Sequence, residues 1–218
     1  MISAISFIIP DIVISDKTQS ISPNDASPEQ IWNSLVEGNQ RFVAGKPMAR
    51  DIVSQRRSLE KTQNPPVSVL SCSDSRLPSE AIFDQGLGDL FVVRIAGNSA
   101  EPMGIGSLEF AVRILGTKVI VVLGHQRCGG VTAACSEETM ASSNLEALIE
   151  PIKESCRIAK EQHGSEDLID SAIKIHIRKT VNDLLAQSEI LKQAHDAGKL
   201  SIIGAYYSLD SGLVMRLA

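Results

Sequence analysis

Aromatic residues make up only 4% of the 218-residue chain, too few to build the stacking platform on which single-stranded nucleic acids are held. Cationic excess is also missing. Lys and Arg number 21 against 26 Asp and Glu, giving a net charge of −5 and a pI near 5.4. That balance argues against nucleic acid or an anionic membrane as partner. No apolar run approaches the ~18 residues of a bilayer-spanning helix, and no internal repeat or low-complexity tract interrupts the chain. Cysteine is scarce, with four residues at 72, 128, 135 and 156, where a disulfide-built secreted domain is shorter and denser in them. The first nine residues are apolar, but no Lys or Arg precedes them and Pro10-Asp11 cuts the run. This start reads as a packing arm, not an export signal. The expected setting is therefore the reducing cytoplasm, with thiols free to ligate metal. Cys135 and Cys156 read as ordinary helix residues.

What remains is ordinary globular material: 43% apolar and 22% charged residues, in a length that suits one domain with a sizeable core. Polar, proline-bearing residues 15–28 read as a linker, so residues 1–27 form an extension and 28–218 a single domain. Ser27-Pro28-Glu29 marks a helix start, and a second helix is expected from Asp51 to Thr62, stopped by Asn64-Pro65-Pro66. Three short β-branched runs, Val67–Leu70, Leu90–Ile95 and Val119–Leu123, are nearly unbroken in apolar character. Such runs are strands buried on both faces, hence a parallel sheet. Ser201–Tyr207 makes a fourth, and Leu213–Met215, after Asp210-Ser211-Gly212, turns back as an antiparallel edge strand. Helices are expected over Gly104–Leu115, Leu145–Glu161 and Leu168–Ala197. The architecture is α/β: about four parallel strands plus an antiparallel edge strand, flanked by helices, with a helical N-terminal arm. A site belongs at the carboxyl ends of the strands.

Chemistry gathers at two of those ends. The first strand runs into Cys72-Ser73-Asp74-Ser75-Arg76, and the third into His125-Gln126-Arg127-Cys128-Gly129-Gly130. Residues two apart in an extended segment face the same way, which aims Cys72, Asp74 and Arg76 at one point while the strand geometry persists. If the two strands are neighbours, Cys72, His125 and Cys128 form a Cys₂His set, suited to the tetrahedral preference of zinc. Asp74 is then either a fourth ligand or the partner of Arg76 in a bidentate ion pair that leaves the fourth position open.

These segments resemble the β-class carbonic anhydrases. SCSDSRLPSEAIFDQGLGDLFVVRIAGN and GSLEFAVRILGTKVIVVLGHQRCGG are similar to that family's two signature regions, and the likeness extends through HIRKTVNDLL and GAYYSLDSG. The resemblance implies reversible hydration of CO₂ to bicarbonate by zinc-bound hydroxide, one Zn²⁺ being held by Cys72, His125 and Cys128. It implies a catalytic dyad of Asp74 and Arg76, and a substrate-side backbone N–H at Gly129. It also implies a substrate-facing Gln63 and an apolar CO₂ pocket lined by Phe91, Ala96 and Phe110, where Phe110 replaces a frequent tyrosine. Members carrying the glutamine rest with the aspartate off the metal, so an open site is expected. A homodimer or higher homo-oligomer is implied, and the helices around Trp32 and Phe42 are candidates for wrapping a neighbour. Two other readings share the motifs: hydrolysis of carbonyl sulfide or carbon disulfide, and a non-catalytic zinc-bearing assembly subunit.

Other candidates carry less. His163, His176 and His195 lack Cys or carboxylate neighbours at ligand spacing and read as surface or packing residues. Gly86 and Gly88 precede a strand, so they are no dinucleotide fingerprint. Glu109, on an apolar helix face, reads as a core hydrogen-bonding or subunit-contact residue. Asp84 and Arg94 flank the second strand and suit either support of the site or plain ion pairing.

Overall fold

The computed structural model describes residues 26–136, 138–163 and 167–217. The extension expected over residues 1–27 lies outside them, save for Ala26 and Ser27. In chain order the elements are α1 (Pro28–Val43), α2 (Ile52–Ser58), β1 (Val67–Ser71), α3 (Ser79–Ile82), β2 (Leu90–Arg94), α4 (Pro102–Arg113), β3 (Val119–His125), α5 (Gly129–Cys135), α6 (Ser143–His163), α7 (Leu168–Gln187), α8 (Glu189–Asp196), β4 (Ser201–Tyr207) and β5 (Val214–Arg216). No helix among the described residues is long and apolar enough to cross a membrane.

The strands form one sheet in the order β2-β1-β3-β4-β5. The first four are parallel, and β5 returns antiparallel on β4. Every residue of β1 and β3 is buried, as their unbroken apolar runs require. Two glycines let α7 close on the sheet. A Cβ on Gly124 of β3 would stand 2.5 Å from the Ile177 side chain, and one on Gly204 of β4 would stand 3.0 Å from it.

Helix α1 starts as its sequence dictates. Ser27 and Gln30 exchange side-chain-to-backbone hydrogen bonds in a capping box, satisfying donors that the first turn leaves open. Ile31, Trp32 and Leu35 are then buried in the chain's own core. This corrects the expectation for Trp32: its indole is only 5% exposed and is not held out to wrap a neighbour. Helix α2 is shorter than expected and buries nothing.

Two further expectations need correction. The helix expected over Leu168–Ala197 is two helices, broken at Ser188. That residue is extended and caps α8 by accepting from the Leu191 N–H, while its hydroxyl donates to Glu109 on α4. A serine that bonds side chain to backbone offers the chain an alternative to continuing the helix. The same bond gives Glu109 its role in tying α4 to α8. Cys135 and Cys156 are not free thiols but a disulfide joining α5 to α6, with Cα atoms 5.3 Å apart. Helical periodicity carries no sign of it, because 21 residues separate the two and only the packing of α5 on α6 brings them together.

Asp84 pairs with Arg41 and Arg50 and also accepts from the Met48 N–H. It fastens the α1–α2 connection to the turn after α3 and takes no part in the site. Beside it, a Cβ on Gly38 of α1 would lie 1.8 Å from the Phe83 carbonyl oxygen. Gly38→Ala must therefore force α1 and α3 apart, and it should lower stability by about 3 kcal/mol, the upper range of overpacking costs. Urea denaturation of the variant measures this, with Gly106→Ala, where a Cβ meets nothing within 4 Å, as the comparison.

Candidate metal and active site

Parallel pairing sets Ser71 of β1 opposite Leu123 of β3 and, on its other side, Arg94 of β2. Cys72 is the next residue of the first chain segment, and His125 closes β3 two residues past Leu123. Cys128 follows after a turn in which Arg127 adopts φ +53°, and it becomes the N-cap of α5. The Cys72 Sγ, His125 nitrogen and Cys128 Sγ atoms all lie within 4.8 Å of one another, and all three residues are buried. The two sulfurs stand 3.9 Å apart without bonding.

The imidazole is oriented for ligation. His125 Nδ1 lies 2.9 Å from the Gln126 carbonyl oxygen, so Nδ1 carries the proton and Nε2 keeps its lone pair. That Nε2 is buried with no hydrogen-bond partner. A buried acceptor without a partner is costly, and here it faces two sulfurs. The thiols act as a coupled pair. A hydrogen bond from Cys128, assisted by the Gly97 N–H, draws the Cys72 thiol well below its ordinary range against the opposing effect of burial. Sharing with Cys72 and burial push Cys128 up. One proton is thus lost from the pair more readily than the second.

Asp74 stands at the mouth, its Oδ2 3.8 Å from His125 Nε2. It is turned to Arg76, whose Nε and Nη2 donate to the two carboxylate oxygens at 2.9 and 2.7 Å. The Arg76 backbone N–H adds a third bond at 2.9 Å. The guanidinium hydrogen bonds hold the Asp74 carboxyl far below the usual carboxylate range. Strand alternation does not persist this far. β1 ends at Ser71, and the Leu77 N–H bonds the Asp74 carbonyl in a tight turn, which folds Arg76 back onto Asp74.

Sequence reasoning left Arg94 undecided. It is a supporting residue: from the end of β2 it donates to the carbonyl oxygens of both Cys72 and Asp74. The loop after it supplies the Gly97 N–H, 3.3 Å from Cys72 Sγ. Gly97 and Asn98 both have positive φ, +79° and +49°, and a Cβ on Gly97 would collide with Ile152 of α6 at 2.4 Å. Ser99 Oγ then meets His176 Nε2 at 3.2 Å, while Ser155 Oγ lies 3.3 Å from His176 Nδ1. His176 is therefore a packing residue, as its spacing suggested, and it locks this loop between α6 and α7.

The remaining candidates divide between two edges of the sheet. Ala96 and Gly129 belong to the metal side. Gly129 opens α5, where its N–H has no intrahelical acceptor, and it is exposed with open space where a side chain would be. Gln63 precedes β1 and lines a surface groove with Leu59, Leu87 and Gly88. That groove is at the amino ends of β1 and β2, a five-residue strand of about 16 Å from Cys72. Phe91 and Phe110 stack with centroids 6.5 Å apart on the outer strand β2 and on α4. Within one chain these three are not brought to Asp74.

A family model described as carbonic anhydrase matches residues 67–214. The chain belongs to the β-carbonic anhydrase family. It is a carbonate dehydratase, a lyase that interconverts CO₂ and bicarbonate. Carbonic anhydrase 2 of Mycobacterium tuberculosis is 38% identical over 194 residues, covering 87% of this chain and 92% of that one. The Mycolicibacterium smegmatis carbonic anhydrase is 38% identical over 196 residues, covering 88% and 94%. Among solved structures, the Coccomyxa β-carbonic anhydrase in complex with acetazolamide superposes with a TM-score of 0.70 at 27% identity, covering 84% of each chain.

Burial holds His176 near a pKa of about 4, against 6.5 for a free imidazole. Between those values the unfolded carbonic anhydrase takes up a proton that the folded one refuses. Stability is complete above the free value and drains as pH falls toward the buried one, by about 2 kcal/mol from pH ~7 to ~5. Urea unfolding at the two pH values should show that loss, and His176→Gln should reduce it by the same amount.

Proposed function

We propose that this carbonic anhydrase works with a zinc ion held by Cys72 Sγ, His125 Nε2 and Cys128 Sγ. The observation that carries the reading is the buried, partnerless Nε2 facing two unbonded sulfurs. Two thiolates and an imidazole are a zinc donor set, and three protein ligands leave a fourth position for chemistry. Zinc held there acidifies a water and so supplies a nucleophile at neutral pH.

The chain's own groups do the rest. Arg76 fixes both oxygens of Asp74, so the carboxylate stays ionised and presents an acceptor at the mouth of the site. An acceptor held there by a bidentate partner orients a proton-bearing nucleophile before reaction, saving the entropy of alignment. The same pairing argues against a closed structural zinc module, because the nearest candidate for a fourth ligand is engaged elsewhere. Ala96 and the Gly129 N–H are read as the CO₂ side of the site. A cytoplasmic setting belongs to this reading, with the Cys72 and Cys128 sulfurs unbonded at 3.9 Å; the Cys135–Cys156 disulfide is the feature that speaks against it.

Gln63, Phe91 and Phe110 join the reading through a second copy of the chain. β2 is an outer strand with an unpaired edge, a feature that proteins cover or pair. Beside it α4 and its C-cap expose Met103 (85%), Phe110 (48%) and Ile114 (65%), an apolar stripe of the kind that marks a subunit contact. A homodimer formed there places one protomer's aromatic pair and glutamine within reach of its partner, whereas a monomer leaves them stranded.

Asp74→Asn should keep its zinc yet hydrate CO₂ about 10²-fold more slowly, the scale of a lost proton acceptor. Unchanged turnover removes Asp74 from the mechanism. Cys128→Ser should lose the metal, read by elemental analysis. Phe110→Glu should shift light scattering toward the monomer and depress hydration while zinc content holds. A fully active monomer overturns the shared-site reading.

A further inference from the structure

Both sulfur ligands are steadied from the same helix. The buried stripe of α6 includes Ile152, Ser155 and Cys156. Ile152 packs under Gly97, whose N–H donates to Cys72 Sγ, and Ser155 holds the His176 ring that anchors Ser99. Cys156 is bonded to Cys135 at the far end of α5, the helix that begins immediately after Cys128.

That bond matters because α5 is only seven residues long and buries just Val131 and Ala134. A helix of two turns has no stability of its own. Its direction, and with it the position of Cys128 at its N-cap, depends on what fastens it to α6. The bridge is within reach of solvent at Cys135, which is half-buried. Cys156 is only 3% exposed and forms part of the wall of a surface cavity of about 310 Å³.

We propose that Cys135–Cys156 is a thiol-exchange site through which a small dithiol controls how firmly the Cys72–His125–Cys128 set retains its metal. The inference rests on reading that set as the metal centre. In the first step a thiolate of the dithiol attacks Cys135 Sγ, the half-buried end of the bridge. The disulfide breaks, and its electron pair leaves on Cys156 Sγ, which takes up a proton. The second thiol of the reagent then attacks the mixed disulfide, freeing Cys135 as a thiol and leaving the reagent as its own disulfide. Two electrons and two protons pass from dithiol to chain, and the oxidised reagent reverses the exchange. With the bridge open, α5 keeps only the packing of a few small apolar side chains, among them Val131, Ala133 and Ala134, and the support behind Cys128 slackens.

The test uses the full zinc-loaded chain, oxidised or treated with dithiothreitol and desalted under argon. Thiol titration of the denatured protein counts the bridge, zinc transfer to a chromogenic chelator reads retention, and amide exchange reads residues 129–135. Reduction should expose two further thiols, raise exchange across α5, and speed zinc release about tenfold, the lower end of what a supporting group contributes to metal affinity. A Cys135→Ser/Cys156→Ser variant should release zinc at the reduced rate with or without dithiothreitol. Equal release from the oxidised and reduced wild-type chains overturns the proposal even if that variant does not fold. So does a thiol count that reduction leaves unchanged. Oxidised chain that binds no zinc before any reductant is added overturns instead the metal-centre reading on which the proposal stands.

Discussion

Parallel pairing of β1 with β3, with Ser71 opposite Leu123, is the constraint on which the metal site depends. It brings together Cys72 and Cys128, 56 residues apart in the chain. A slip of one residue would turn each strand's alternate side chains to the opposite face. That slip is resisted at Gly124 of β3, where a shifted strand would put a side chain whose Cβ stands 2.5 Å from Ile177. The site is therefore as well defined as the core. Its donors project from the last residues of strands that cannot shift.

The core alone does not hold the donors at their final angles. Backbone bonds from Arg94 pin the carbonyls of Cys72 and Asp74, and the Gln126 carbonyl sets the His125 tautomer. The Gly97–Asn98 loop, in a conformation that side-chained residues rarely adopt, delivers an N–H to Cys72. Each of these groups has a partner, but His125 Nε2 does not. Leaving one buried acceptor unsatisfied beside two thiols costs stability in the empty chain. Binding of a cation that replaces the thiol protons recovers it, so affinity at this site and stability of the fold are coupled.

Much of this is legible in the residues. β1 and β3 read as strands because burial on both faces leaves unbroken β-branched runs, and the ligand spacing is legible because His125 and Cys128 share one turn. What is not legible depends on tertiary packing. Ser188 is one of several polar residues along Leu168–Ala197, and its local role as a cap to the Leu191 N–H is singled out only by its hydroxyl bond to Glu109, 79 residues away. Trp32 looks like a surface anchor until Arg216 is found over its ring and its neighbours Ile31 and Leu35 are buried. Gln63, Phe91 and Phe110 look like parts of one pocket because the sequence does not say which chain's pocket they line.

Helix α6 shows how a remote element acquires authority over a site it never touches. It contributes no ligand and no residue of the Asp74–Arg76 couple, yet one stripe of its surface meets the supports of both sulfur donors. The contact to the Cys72 side is non-covalent and distributed over Ile152, Ser155 and His176, so losing one member leaves the others in place. The contact to the Cys128 side combines one covalent bond with the few side chains that a helix as short as α5 can bury. A single chemical event can change a support only where that support is covalent, and among the described residues α6 makes such a bond to α5, on the Cys128 side.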